Sequence, residues 1–279
     1  MTPAQSFDKL AQVLRAYESL CVAYSGGVDS TLLLSVAAET HPGRVTAVIG
    51  TGAFVPAHEA EEAIAFCRSL GIDPVVLPVD FLGNPLVSAN PTDRCYHCKH
   101  MIFSRIRMLA EEKGLRAVVE GTNLDDLGDY RPGLRALKAL EILSPFVEAG
   151  LTKADIRSLS QARGLPTWDK PSFSCLASRI PAGVPLKQET LEAIEAGERI
   201  LRSAGLRQYR LRVHGDVARI EVPEADLGQA LSLRTALTDP LKKLGFRYIA
   251  LDLEGYKTGN MNPMTEQPTG GPHASGPTD

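Results

Sequence analysis

Ser25-Gly26-Gly27-Val28-Asp29-Ser30 carries the densest chemistry in the chain. The apolar run Cys21–Tyr24 precedes it and Thr31-Leu32-Leu33-Leu34 follows, so a strand ends in a Gly turn and a helix begins. That arrangement builds an anion site. Glycines let backbone N–H groups approach a phosphate, and the helix dipole favours negative charge there. Ser25 and Ser30 add hydroxyl donors, and Asp29 can hold a magnesium ion or orient the loop. No Gly-Lys-Ser/Thr ending is present, so this is not the Walker type of phosphate loop. An ordinary Gly turn is the plainer alternative, but it does not account for every position of the run.

A second group is Arg94-Cys95-Tyr96-His97-Cys98-Lys99. A CxxC pair brings two thiols close enough for a metal or a redox disulfide. Cys175 lies in Lys170-Pro171-Ser172-Phe173-Ser174-Cys175-Leu176-Ala177-Ser178-Arg179-Ile180-Pro181. A nearby guanidinium favours its thiolate, the nucleophilic form. Cys21 and Cys67 fall on an apolar strand and an apolar helix face and read as core. Lys99 can reach a phosphate or simply be solvated. Asp125, Asp126 and Asp129 form an acidic cluster after Gly121-Thr122-Asn123, best read as a solvated loop. His41, His58 and His100 belong to no constellation.

The elements that position these residues follow from periodicity. A helix is expected over 5–17, with strands over 20–24, 44–50, 75–79, 117–120 and 142–143. Helices over 30–40, 57–70, 96–113 and 152–163 fall between them. Alternation of this kind predicts an α/β fold with a parallel, doubly wound sheet. Ligands then bind at the carboxyl ends of strands, where the Ser-Gly-Gly turn and Gly121 both lie. Residues 1–165 are assigned to this nucleotide-binding domain. Residues 166–186 read as an active-site loop, long for a structureless connection. Residues 187–258 read as a small α+β domain: a helix over 187–204, a hairpin (210–213 and 218–222) turning at His214-Gly215-Asp216, a helix over 224–244 and a strand over 248–253. Residues 259–279, almost without apolar side chains, read as a disordered tail.

The 279 residues carry a net charge of −3. That speaks against a nucleic-acid partner, which asks for a basic surface. No apolar run approaches a membrane span, and no signal peptide is evident. An odd number of cysteines, five, fits a reducing cytoplasm better than a disulfide framework.

Ser-Gly-Gly-x-Asp-Ser is the signature of the ATP-pyrophosphatases, which cleave ATP between the α and β phosphates. Asp93-Arg94-Cys95-Tyr96 to Cys98-Lys99, Glu120-Gly121-Thr122-Asn123, Cys175-Leu176-Ala177-Ser178-Arg179 and Arg210-Leu211-Arg212 narrow the likeness. Over residues 5–255 the chain resembles the LarE family, ATP-dependent sulfur transferases of nickel-pincer nucleotide biosynthesis. The resemblance implies an adenine nucleotide alpha hydrolase-like (PP-loop) fold and a pyridinium-3,5-dicarboxylate mononucleotide as substrate. ATP with Mg2+ adenylates a carboxylate, and sulfur then displaces AMP. It implies Asp29 and Cys175 as catalytic residues. ATP would be bound by Ser25, Gly26, Gly27, Asp29, Ser30, Lys99, Gly121, Thr122 and Asn123. The substrate phosphate falls to Arg179, Arg210 and Arg212, and Glu198 to a metal. A homo-oligomer, in some members a hexamer, is also implied.

The sulfur source has two versions in that family. Cys175 donates its own sulfur and becomes dehydroalanine, or Cys95, Cys98 and Cys175 hold a 4Fe-4S cluster that carries an extra sulfide. The cluster is the preferred reading. Zinc on the same cysteines, with His97, is a third. Rival functions are tRNA thiolation, which predicts a basic surface, and NAD or GMP synthesis, which needs no cysteine triad. A nucleotide-binding cluster carrier would bind ATP yet release no pyrophosphate.

Overall fold

Thr2 fixes the start of the first helix, α1 (Pro3–Arg15). Its hydroxyl accepts from the Gln5 amide, and the Gln5 side chain accepts from the Thr2 amide. The apolar run after it forms β1 (Leu20–Ala23), and the turn at Gly26-Gly27 leads into α2 (Val28–Thr40). The chain continues through β2 (Val45–Thr51), α3 (Ala57–Ser69), β3 (Val75–Pro78), the single turn α4 (Pro85–Ser88) and α5 (Arg94–Glu112). Next come β4 (Ala117–Val119), α6 (Pro132–Ala139), the single turn α7 (Pro145–Glu148) and α8 (Lys153–Ala162). The last elements are α9 (Gln188–Ser203), β5 (Arg210–His214), β6 (Val217–Glu221), α10 (Leu227–Ser232), α11 (Arg234–Lys243) and β7 (Tyr248–Leu251). The computed structural model describes residues 1–128, 132–171 and 175–257. The disordered-tail expectation for 259–279, and Asp129, lie outside the described residues.

The first sheet has the order β3-β2-β1-β4, all parallel. Leu20, Cys21 and Val22 are fully buried, as befits a central strand covered on both faces. α2 is buried from Ser30 to Ala37, because it lies between the sheet, α1 and α8. β1 runs on to β2 on one side, while β4 returns on the other. The reversal opens a crevice between the carboxyl ends of β1 and β4, where ligands of such sheets sit.

The second sheet has the order β5-β6-β7, with β5 and β6 antiparallel and β6 and β7 parallel. Its core is continuous with Phe54, Val79, Phe81 and Val87 of the first unit. The segment after Cys175 is docked, not loose. The Leu176 amide donates to the Phe54 carbonyl (2.9 Å), the Gly183 amide to Asn90 (2.7 Å) and the Leu186 amide to Ser88 (2.8 Å).

Two expectations need correction, and one helix lies outside them. The strand at 142–143 is a single bridge between Val119 and Leu143. Pro145, which has no N–H, opens α7 two residues later and ends the pairing. α6 was not anticipated, although Leu134 and Leu137 carry helical spacing. The helix over 224–244 is broken at Leu233 into α10 and α11.

Candidate active site

Gly26 has φ +74°, in the left-handed region, and a Cβ there would stand 3.3 Å from the Ala63 Cβ. Gly27 caps α2 without a side-chain bond, so the first amides of the helix are left for an anion. The Ser25 and Ser30 hydroxyls lie 3.0 Å apart, and the Ser30 hydroxyl also donates to the Gly27 carbonyl. The loop is therefore pre-formed around its own hydroxyls.

Asp29 sits in the first turn of α2, facing β4. One of its oxygens accepts from the side-chain Nδ2 of Asn123 (3.3 Å), and the other pairs with the Lys153 ammonium. Lys153, the first residue of α8, was not singled out in the sequence. Its own amide donates to Asp125 (2.9 Å), and the Asn123 amide donates to Asp126 (3.0 Å). Two members of the acidic cluster thus shape the loop. Gly121 brings β4 against α2: a Cβ there would stand 3.1 Å from the Asp29 Cβ and 3.2 Å from the Ser30 nitrogen. Glu120, also overlooked in the sequence beyond its place in a motif, is buried. It accepts from the Thr122 amide and hydroxyl (both 2.9 Å) and from the Ser144 hydroxyl (2.7 Å).

These groups line one cleft of about 470 Å³, with Ser25, Asp29, Lys99, Glu120, Thr122 and Cys175 on its walls. Lys99 reaches it past Gly133 of α6, whose missing side chain leaves the passage: a Cβ there would lie 2.7 Å from the Lys99 Cδ. Lys99 is therefore not simply a solvated helix lysine.

Cys95 is exposed, while Cys98 and Cys175 are half-buried. Burial, then the charges of Cys175 and Cys95, push the Cys98 thiol up to about 12. The guanidinium in electrostatic reach of all three sulfurs is that of Arg94. It donates to the Asn90 Oδ1 (2.6 Å) and the Ala177 carbonyl (2.9 Å), and its second terminal nitrogen lies 3.8 Å from the Cys95 sulfur. Among the described residues, no group of three His, Cys, Asp or Glu side chains is placed to hold a metal ion. His97 pairs with Asp93 (3.3 Å), so the zinc reading with His97 finds no preformed site.

Arg179, the arginine nearest Cys175 in sequence, is fully buried. It forms a two-pronged pair with Glu198 (2.7 and 3.0 Å) and donates to the Cys175 carbonyl (3.2 Å). Glu198 also accepts from the Leu211 amide (3.1 Å). Both of its oxygens accept from these donors. The alternation Arg210-Leu211-Arg212 suggests an exposed face if the arginines hold no ligand, yet both arginines are buried. Arg212 pairs with Glu221 (3.0 Å) and donates to the Ser178 carbonyl (2.6 Å). Arg210 lies over the Tyr256 ring, 4.8 Å from its centroid. Burial and then the like charge of Arg179 bring Arg210 down to about 10. Arg212 is lowered too, by burial first, against the pull of Glu221. Arg179 and Arg212 donate to carbonyls of the Cys175–Ser178 turn, and Glu198 and Glu221 lie among the three guanidiniums.

No family model matches the chain. Curated relatives do. The chain is 37% identical over 255 residues to the pyridinium-3,5-bisthiocarboxylic acid mononucleotide synthase of Lactiplantibacillus plantarum, covering 91% of this chain and 92% of that protein. It is 37% identical over 257 residues to an uncharacterized protein of Synechocystis, covering 91% and 96%. It is 31% identical over 241 residues to an uncharacterized protein of Methanocaldococcus jannaschii, covering 86% and 92%.

Proposed function

The chain belongs to the LarE family, and on that premise we propose that it is an ATP-dependent sulfur transferase converting pyridinium-3,5-dicarboxylate mononucleotide to its thiocarboxylate form in the cytoplasm. The observation that carries this reading is that the phosphate loop and the Cys175 thiol open on the same cleft. A carboxylate oxygen of the substrate attacks the α-phosphorus of ATP, and the bond to pyrophosphate breaks. The loop amides, Ser25, Ser30, Lys99 and Lys153 stabilise the leaving pyrophosphate. Gly121, Thr122 and Asn123 at the end of β4 complete the nucleotide site. Asp29 would hold magnesium, which neutralises phosphate charge when bound. The resulting acyl adenylate exchanges AMP for sulfur, because AMP is a far better leaving group than carboxylate oxygen. Arg210 and Arg212, with Arg179 behind them, are assigned to the substrate phosphate, whose oxygens suit the fork of N–H donors that a guanidinium presents.

Cys95, Cys98 and Cys175 are the residues that would hold a 4Fe-4S cluster, although among the described residues they do not form a preformed metal group. Three thiols from two segments suit such a cluster in kind and leave one iron open. Bound there, the cluster would supply an iron site for an additional sulfide. A specific observation favours the sacrificial alternative, in which Cys175 gives up its own sulfur. Among the described residues, Cys175 is the cysteine that lines the cleft.

The test is pyrophosphate release with and without the dicarboxylate nucleotide. Release that depends on this substrate supports the reading. ATP binding without substrate-dependent release leaves the carrier protein instead.

A further inference from the structure

Arg94 is the first residue of α5 and is 9% exposed. A cation in that place is doubly disfavoured: it is buried, and it stands at the positive end of a helix. Among the described residues it pairs with no carboxylate. Its polar contacts are the Asn90 Oδ1, the Ala177 carbonyl and the Cys95 sulfur. Its second terminal nitrogen lies 3.8 Å from the Cys95 sulfur, and its link to Ala177 sets it beside the segment that carries Cys175.

Arg94 also works with Asn90 as a clamp. Asn90 holds φ +55°, rare for a residue with a Cβ, and so aims both ends of its side chain at neighbours. Its Nδ2 donates to the Pro181 and Val184 carbonyls (2.8 and 3.0 Å), and its Oδ1 accepts from Arg94. Its backbone carbonyl accepts from the Gly183 amide (2.7 Å). Together the two residues fasten the segment 177–184, just beyond Cys175, to the start of α5, which carries the CxxC pair.

We propose that Arg94 is the positioning residue of the sulfur centre, holding the Cys175 segment in place and balancing the anionic sulfur before it attacks. This rests on the sulfur-transfer reading above. In the step concerned, an anionic sulfur, supplied as sulfide or as the Cys175 thiolate, attacks the acyl carbon. The C–S bond forms, the C–O bond to AMP breaks, and AMP leaves with the electron pair. Arg94 governs this half of the reaction and not the adenylation, which occurs on the phosphate loop.

The experiment uses the full chain with ATP, Mg2+, the dicarboxylate nucleotide and sulfide, and measures pyrophosphate and thiocarboxylate in the same samples. In the first turnover Arg94→Gln keeps its burst of pyrophosphate within about twofold of wild type, while its thiocarboxylate yield falls by about a hundredfold, the scale of a lost electrostatic contact. Its acyl adenylate accumulates and is trapped by hydroxylamine. Arg94→Lys retains the charge but not the fork, and recovers part of the loss. Full thiocarboxylate formation by Arg94→Gln overturns the proposal. So does a parallel fall of the first-turnover pyrophosphate burst and of thiocarboxylate in Arg94→Gln and Arg94→Lys alike, which marks a purely structural role. A wild-type chain that releases no pyrophosphate defeats the underlying reading instead.

Discussion

Replacing Asp29 separates a structural ion pair from a chemical carboxylate. In the structure Asp29 pairs with Lys153 and accepts from Asn123, and both ionic side chains keep partial solvent contact (33% for Lys153 and 23% for Asp29). A pair so exposed contributes roughly 0.2–1 kcal/mol. For a chain of this size a loss of that order lowers the melting temperature by no more than about 4 °C. If Asp29 holds the magnesium of the nucleotide, the cost to chemistry is much larger. Loss of one preorganised charge at the reacting phosphates lowers the rate by ~10²–10³. Asp29→Ala should therefore fold, melt within a few degrees of wild type, and lose substrate-dependent pyrophosphate release. Asp29→Asn should behave alike, since an amide cannot replace the charge. The assay is pyrophosphate release at saturating ATP beside a thermal melt. Wild-type release by Asp29→Asn, or a collapse in stability that accounts for the lost activity, refutes the assignment.

Gly133→Ala should disturb Lys99, because the added Cβ takes the space of its aliphatic chain. The expected outcome is a higher KM for ATP, and a KM for the dicarboxylate nucleotide that changes little; steady-state kinetics check it. Alkaline pH should destabilise the fold. Burial holds the Cys21 and Cys67 thiols, and burial with neighbouring sulfurs the Cys98 thiol, up at about 12 in the metal-free protein. Above pH ~9 the unfolded chain releases these protons while the folded chain retains them, so stability declines with a slope approaching about 1.4 kcal/mol per pH unit for each thiol. Denaturant melts between pH 8 and 10 should show this decline, with a smaller slope in Cys21→Ala. Cys175 distinguishes the two sulfur sources: intact mass after turnover should be unchanged and product should exceed one per chain when sulfide is supplied. A mass loss of hydrogen sulfide mapped to Cys175, with turnover ending at one, establishes the sacrificial route.

The phosphate loop was legible because its chemistry is local. A strand, two glycines and a helix start lie within ten residues, and the β1–α2 junction needs no distant partner to take shape. The CxxC pair was legible for the same reason. Lys153 was not, since it meets Asp29 across 124 positions, brought there by the capping of α8 at Thr152 and Asp155. Arg94 was visible only as part of a motif, and its link to Ala177 spans 83 positions. Arg179 misled: proximity in sequence offered it as the guanidinium of Cys175, while the fold pairs it with Glu198 from α9. For Arg210 and Arg212 the alternating pattern fits a half-exposed strand. β5 is covered on both faces, and carboxylates from α9 and β6 lie among its arginines. Buried charge matched by distant countercharge leaves no periodic trace.

The central claim is that this chain uses ATP to exchange oxygen for sulfur on a pyridinium carboxylate. Mass spectrometry of the nucleotide product, after incubation of the full chain with ATP, Mg2+, sulfide and the dicarboxylate mononucleotide, tests it most directly. The expected product is heavier by the exchange of carboxylate oxygen for sulfur and forms with matching amounts of AMP and pyrophosphate. Unchanged dicarboxylate nucleotide from wild-type protein, despite pyrophosphate release, would contradict it.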